Sequence, residues 1–499
     1  MASIYGITGY NNKAGTSQLI AIWKNAPMIY NTSTAGWNKA PIHLTASLDV
    51  DFENFVDCLF LVNGTDNNYC YNGTHWNVGN VNDSVKGKYI KKYNTRLYLG
   101  NVTINGTSYP SRIWRSDVPK ADNTLTWGIE SGSDLVQTAS SAAVTSSTAT
   151  FEANNIKIGD TFVITSGTNA GEYKVKSVDS ETQITLTDTL TYTASGSSFW
   201  VGGNFIDIET DDGDEITGLG TTSNSLIIFK NTSTHRYVST EGNIRKCRST
   251  VGTSTDKSIV NLNNYTYFYS PSRGFLKTDG LDSLTISNAL HDIVDNITTA
   301  NATKIVGWCE DNRYVCWYVG NVTDDDGETY TDLIVVFDSL NNTWSTRSYG
   351  LGITCACTRL ESGILYNYIG DNSDAVYKVN YGTDFNDGSI NFSVVTHPIF
   401  PAGPASIIDF SRVRFYIRNG PDIQILYKLI YRPMNNLNQW SEDTTWRSLQ
   451  GSAGSPRSEF TFPEGSRASG VMFKFIESST QESFLIERAE IYYRNVSNM

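Results

Sequence analysis

Several things are scarce in this 499-residue chain, and each scarcity removes a class of protein. No window approaches the roughly 20 consecutive apolar residues of a spanning helix, so no transmembrane segment is expected. The stretch from Met1 to Gly15 lacks the charged start and apolar run of a secretory signal, and export by that route is not expected. Only 7 cysteines occur (Cys58, Cys70, Cys247, Cys309, Cys316, Cys355, Cys357), scattered and with no Cys-x-x-Cys pair. A disulfide framework and a thiolate metal site are therefore both unexpected, and the cysteines read as buried, inert thiols.

Positive charge is also scarce. Lysine and arginine total 38 against 51 acidic residues, a net charge of −13. Affinity for nucleic acid comes mostly from neutralising phosphates, so this balance opposes a DNA reader and is compatible with a conduit along which DNA slides without sticking. Two basic runs stand out, Lys86 to Lys92 and Arg245 to Arg248. The first is interleaved with Tyr89 and Tyr93 as a single-strand-binding groove is, but a solvated strand face or a subunit contact is the simpler reading.

Catalytic signatures are missing as well. The 5 histidines (His43, His75, His235, His291, His397) have no zinc spacing, and no nucleophile elbow, P-loop or dinucleotide fingerprint is present. The acidic clusters Asp211-Asp212-Asp214-Glu215 and Asp324-Asp325-Asp326-Glu328 lack a full calcium-loop spacing. They read as solvated hairpin tips, with the second the better calcium candidate. Paired carboxylates for glycoside hydrolysis need a defined cleft, and acidic pairs alone do not specify one. No enzyme, catalytic residue or cofactor is expected, and whether a metal binds stays open.

What is present is β-structure. Glycine (40), tyrosine (28), phenylalanine (21) and tryptophan (11) are abundant, the mixture that half-buried pleated surfaces and their turns use. From Asp211 to Tyr237 an acidic glycine turn leads into a short strand. A second turn bends back into Leu226-Ile227-Ile228-Phe229, and a polar turn after Lys230 opens a third strand at Tyr237. Three short antiparallel strands in so few residues read as a propeller blade or a sandwich edge.

A related module, apolar strand then Asn/Asp turn then Trp, recurs around Gly36-Trp37, Asn72 to Trp76, and Leu333 to Trp344. One helix is expected, with Leu290, Ile293, Val294 and Ile297 forming a stripe behind a Ser287-Asn288 cap. The many Asn-x-Ser/Thr triplets, among them Asn31, Asn63, Asn72, Asn101, Asn105 and Asn231, read as turn chemistry.

The resulting expectation is an all-β chain: a β-propeller with an inserted small β-barrel and a C-terminal antiparallel β-sandwich. Blades occupy 1–127 and 204–395. The Ser/Thr-rich stretch 128–203, with 3 basic and 8 acidic residues, is the barrel inserted in a surface loop. Pro398, Pro401 and Pro404 mark a stiff linker over 396–404, and alternation through Val413-Phe415-Ile417 and Ile423-Ile425-Tyr427 opens the sandwich, 405–499. From residue 401 onward 11 basic and 10 acidic residues nearly balance, as in a separate domain.

Two stretches resemble a known family. One is Asp211 to Tyr237; the other runs from Asn94-Thr95-Arg96-Leu97-Tyr98-Leu99-Gly100 through Arg112 and Ser116-Asp117 to Trp127. Together with Gly274 to Gly280 they are similar to blades of the propeller-forming tail proteins of short-tailed bacteriophages, the nozzle or packaged-DNA-stabilising proteins. The resemblance implies a structural virion protein, made in the host cytoplasm and built into the tail. It implies a homo-oligomeric ring, usually of six copies, which meets the portal or its adaptor and other tail proteins. Packaged DNA would be retained by the ring and later pass through its lumen without sequence-specific binding. A carbohydrate-binding receptor protein is the alternative class, and a glycan-degrading tail enzyme the third.

Overall fold

The computed structural model describes residues 3–76, 84–120, 125–239, 242–323, 329–379, 392–403, 406–418, 423–431, 441–443, 445–452, 457–477 and 485–496. The acidic cluster Asp324 to Glu328 lies outside the described residues. The chain divides into two compact units, Met1–Val379 and Asn380–Met499.

The first unit is a β-propeller with seven antiparallel blades among the described residues. Their innermost strands are Ile4–Asn11, Asp51–Phe55, Val85–Tyr93, Ile216–Thr221, Val260–Leu262, Val306–Glu310 and Ile353–Glu361. Each packs on the next, and the seventh returns to the first, so the inner strands close a ring around one axis. Blades one, three, four, five and six have four strands; blades two and seven have three.

The short apolar runs become second strands because they are covered on both faces. Leu226–Lys230 and Cys58–Val62 are buried at every position, sandwiched between neighbouring blades. Close approach of blades needs missing side chains on the inner strands. At Gly218 a Cβ would run into Ile259 and the backbone of Asp256 on the next blade.

The recurring Trp module has one structural meaning. Trp37 and Trp344 lie on the outermost strands of blades one and six, and Trp76 bridges Tyr71 at the same position of blade two. Each ring packs on an aromatic of the adjacent strand or bridge, Tyr30, Phe337 and Tyr71, with centroids 5.2, 5.0 and 4.8 Å apart.

The expected helix is shorter than its stripe. A 3-10 turn at Asn288–Leu290 leads into His291–Asp295, and Thr299–Ala302 follows separately. The Ser287 hydroxyl does not cap it. Instead it accepts the Phe275 N–H of blade five at 3.0 Å. Leu290, Ile293, Val294 and Ile297 still pack on the core shared by blades five and six.

The inserted barrel is closed, with the strand order Ile129–Gln137, Ala143–Thr145, Gln183–Leu186, Gly171–Ser180, Thr161–Ile164, Ala194–Gly202. Phe151, Phe162, Val175, Ile184, Leu186 and Phe199 fill it. It enters after the third strand of blade three, Thr107–Arg115, and the chain returns as that blade's fourth strand, Phe205–Asp207.

The C-terminal unit is two antiparallel sheets around Phe410, Val413, Phe415, Tyr427, Leu429, Phe460, Phe473 and Phe475. A bulge between Phe410 and Arg412 shifts the inward parity, so Ile408 and Phe410 share one face with Val413, Phe415 and Ile417. Two expected boundaries move. Phe392–Val395 pairs with Gly470–Glu477 and belongs to this unit, not to the blades. The stretch expected as a linker is also paired: Thr396 N–H donates to Phe473 O at 2.9 Å, and Ile399 bridges Val471.

Among the described residues, ring closure uses no exchanged strand, because blade one is wholly N-terminal and blade seven wholly C-terminal within the unit. Side chains hold the joint. Arg359, 5% exposed, donates to Ser17 O and Oγ at 2.9 and 3.0 Å, and Thr354 Oγ1 donates to Ile4 O. Ile4, Ile7, Leu19, Cys355 and Tyr368 form the apolar contact beneath. Arg359→Ala is expected to cost about 2–3 kcal/mol, since a buried charge-assisted pair of bonds is lost. Hydrogen exchange should accelerate first in Ile4–Asn11 and Ile353–Glu361, and unchanged protection there would contradict this account of closure.

Candidate functional site

Three places concentrate chemistry in the first unit: the propeller axis, the acidic turn of blade four, and the neck of the barrel. A cavity of about 300 Å³ on the axis is lined by inner strands of blades one, two, six and seven and by the turn that opens blade five, with Thr8, Asp51, Asp256, Lys257 and Thr358 among its walls. Lys257 stands on the 3-10 turn Asp256–Ser258 that opens blade five. Its ammonium donates to Asp49 at 2.6 Å and to the Thr354 carbonyl of blade seven at 3.0 Å, tying three parts of the ring together. Burial alone would lower this lysine's pKa, but Asp49, with Asp256 and Cys355, together more than offset it and the net shift is upward.

Beside it, burial and the nearby Asp256 push Asp51 up to about 7, against bonds from the Ile90 and Phe52 N–H groups. Burial raises Asp256 as well. The axial cavity is thus walled by titratable, hydrogen-bonded groups, and its volume of about 300 Å³ is small beside a nucleic-acid duplex. Because the folded state holds the Asp51 proton more tightly than the unfolded chain does, its contribution is fully present below about pH 4 and is lost as pH rises through about 7. Asp51→Asn should therefore flatten the decline in unfolding midpoint between about pH 5 and about pH 8. Identical pH profiles for variant and parent would refute the assignment.

In the acidic cluster Asp211-Asp212-Asp214-Glu215, three of the four carboxylates, Asp212, Asp214 and Glu215, are held by protein donors. Lys230 is wholly buried, and its ammonium donates to both Asp212 oxygens at 2.6 and 2.7 Å and to the carbonyls of Ile208 and Glu209. Asp214 accepts from the N–H and side chain of both Asn231 and Thr232. Glu215 accepts from Asn101 of blade three at 3.0 Å. Partial burial works against ionisation of Asp212, but the bonds from Lys230 and the Asp214 N–H outweigh it and hold the carboxyl below its usual value.

Asp212 and Asp214 lock the entry turn to its own blade, and Glu215 ties it to blade three. Asp212→Ala leaves Lys230 charged and unpaired in the interior, with an expected loss of about 3–5 kcal/mol. Lys230→Met, which leaves only a partly exposed carboxylate unpaired, should cost less in the same denaturant titration. The reverse order would overturn this reading.

The barrel neck contains the second family-like stretch. Arg96 donates to Ser116 O at 2.6 Å, and Ser116 Oγ accepts from Leu97 N–H. Asp117 accepts from Thr126 before the barrel, Asn155 within it and Asn204 after it, at 2.7, 3.2 and 3.0 Å. Trp114 donates its indole N–H to Trp127 O and packs against Trp200 and Phe205. Arg112 pairs with Asp207 and lies over Tyr109 and Phe205. The barrel is thereby mounted rigidly on blade three.

The other sequence candidates stay separate. In the run Lys86 to Lys92, Lys91 and Lys92 pair with Glu53 of blade two at 3.5 and 3.4 Å, and Lys86 donates to Thr65 O. In Arg245 to Arg248, Lys246 pairs with Glu209 at 2.6 Å. His235 is buried, which lowers its pKa. Ser233 and Glu209 both approach its Nε2, at 3.0 and 3.9 Å, so no relay through opposite ring nitrogens exists. The seven cysteines form no disulfide, and burial pushes Cys355 to about 11 and Cys247 to about 12. Among the described residues, no group of three His, Cys, Asp or Glu is placed to hold a metal ion. Sequence reasoning missed Lys257 and Asp51, whose only signal was polar residues flanking innermost strands.

The fold and these sites define a seven-bladed propeller with a barrel mounted on one blade and a separate sandwich unit. No protein-family model and no curated protein matches the chain. Among solved structures, the computationally designed Ika8 protein is similar at 12% identity over 76% of this chain and 95% of that one, with a TM-score of 0.36. Phage phi92 endosialidase is similar at 10% identity over 69% and 66%, TM-score 0.27. BamB from Moraxella catarrhalis is similar at 8% identity over 75% and 82%, TM-score 0.36. Likenesses this distant say nothing about activity.

Proposed function

We propose that the chain is a structural protein of a short-tailed phage tail, assembled as a homo-oligomeric ring below the portal or its adaptor, and not an enzyme. The observation that carries the reading is what the family-like residues do: Arg96, Ser116, Asp117, Trp127, Asp212 and Lys230 are all engaged in holding blades and barrel together. Their spacing in the sequence is the spacing of an architectural motif.

The size of the axial cavity adds a constraint. An axial cavity of about 300 Å³ is small beside DNA, which favours a conduit between copies arranged in a ring. The net charge of −13 suits walls that DNA passes without adhering. Portal and tail partners, and six copies in the ring, follow from the family resemblance.

Fractionating lysate of the source on a density gradient, with peptide mass spectrometry of each fraction, tests the proposal. The protein is expected with DNA-filled particles and should stay there through a high-salt wash. Recovery only in soluble or envelope fractions would sink the tail reading.

A further inference from the structure

A second concavity lies on the propeller face formed by the hairpins that join first to second strands. It is a groove of about 700 Å³ between blades two, three and four. Its walls carry Phe55, Lys92, Tyr93, Thr95, Ser223 and Asn224. That volume is in the range of small-ligand sites and accommodates a few pyranose rings.

The groove is built before any ligand arrives. The Tyr93 hydroxyl donates to Asn224 O at 2.7 Å, and the Asn94 amide donates to Ser239 Oγ, so the hairpins of blades three and four are stitched across it. Tyr98 and Tyr237 stand behind the Tyr93 ring with centroids 6.0 and 6.4 Å away. Asn94 and Thr95 take left-handed backbone (φ 44° and 63°), the conformation of a tight hairpin tip, and both are exposed.

The chemistry is selective. Two half-buried aromatic rings, Phe55 and Tyr93, offer apolar wall, while Thr95, Thr222, Ser223 and Asn224 supply uncharged donors and acceptors. A sugar ring has the same duality, an apolar C–H face rimmed by hydroxyls. On a chain of net charge −13, no carboxylate lines this groove among the described residues, and the one cation among them, Lys92, keeps 58% of its side chain exposed while touching Glu53 at 3.4 Å. A nucleic-acid strand would require several cations along its phosphates, and the described lining has one.

We propose that this groove binds a short acidic saccharide, a segment bearing a uronic or sialic acid, with its C–H face on Phe55 and Tyr93 and its carboxylate toward Lys92. The site gives the propeller a glycan contact whether or not copies form a ring.

Calorimetry and saturation-transfer NMR on the full chain test it, with trigalacturonate and 3′-sialyllactose as acidic probes and maltotriose as the neutral one. At least one acidic probe should bind saturably and more tightly than maltotriose. Ser223→Trp, which fills the groove from an exposed turn, should abolish binding; Thr222→Trp serves the same purpose if the first variant melts early. Lys92→Ala should weaken the acidic probe about fivefold, the loss of a partly exposed charge contact. Failure of both acidic probes to saturate, binding that survives both tryptophan variants, or equal affinity for maltotriose would each overturn the proposal. The gradient experiment is independent, so either reading can fail alone.

Discussion

The propeller depends on one joint, the meeting of blade seven with blade one. Six of the seven blade-to-blade contacts join consecutive pieces of chain; this one joins residues about 350 positions apart and, among the described residues, has no shared strand to hold it. The loop-closure cost of bringing such distant segments together has to be met by side chains. Arg359 does this with bonds to Ser17, and Gly9 leaves room for it, since a Cβ there would meet the arginine's own stem. Lys257 repeats the logic at the axis by linking Asp49 and the Thr354 carbonyl across the ring.

A ring closed in this way can carry an insertion without strain. The barrel leaves and rejoins blade three between neighbouring strands, so its ends are already adjacent where Arg112 faces Asp207 and Trp114 faces Phe205. Asp117 then collects donors from both sides of the neck and from the barrel itself. The fold thus spends its polar residues on stiffness at the axis, the entry turn and the neck. The groove between blades two, three and four leaves neutral polar groups and aromatic edges turned outward together.

Much of the architecture was legible in the sequence because blades are local. A strand, a tight turn and a returning strand within thirty residues form their hydrogen bonds with near neighbours, and runs such as Leu226 to Phe229 announce their burial. The Trp modules were legible for the same reason. The helix at Leu290 to Ile297 was over-read: its stripe exists, but Ser287 is claimed by Phe275 of the blade, and local capping preference yields to that tertiary bond. The prolines near 398 suggested a linker, yet Thr396 and Ile399 find partners on a strand more than 70 residues away.

By itself, then, the sequence determined the all-β class, the alternation of strand and turn, the barrel as a compositionally distinct insert, and the absence of familiar catalytic motifs, since each is carried by residues close together in the chain. Tertiary structure alone decided the number of blades, the partner of each charge and the location of any concave surface. Asp51, Asp256 and Lys257 meet only because the ring closes, and Phe55, Tyr93 and Ser223 share a groove only because three blades stand side by side. Those relations depend on distances in space between segments far apart in sequence, which periodicity and composition do not encode.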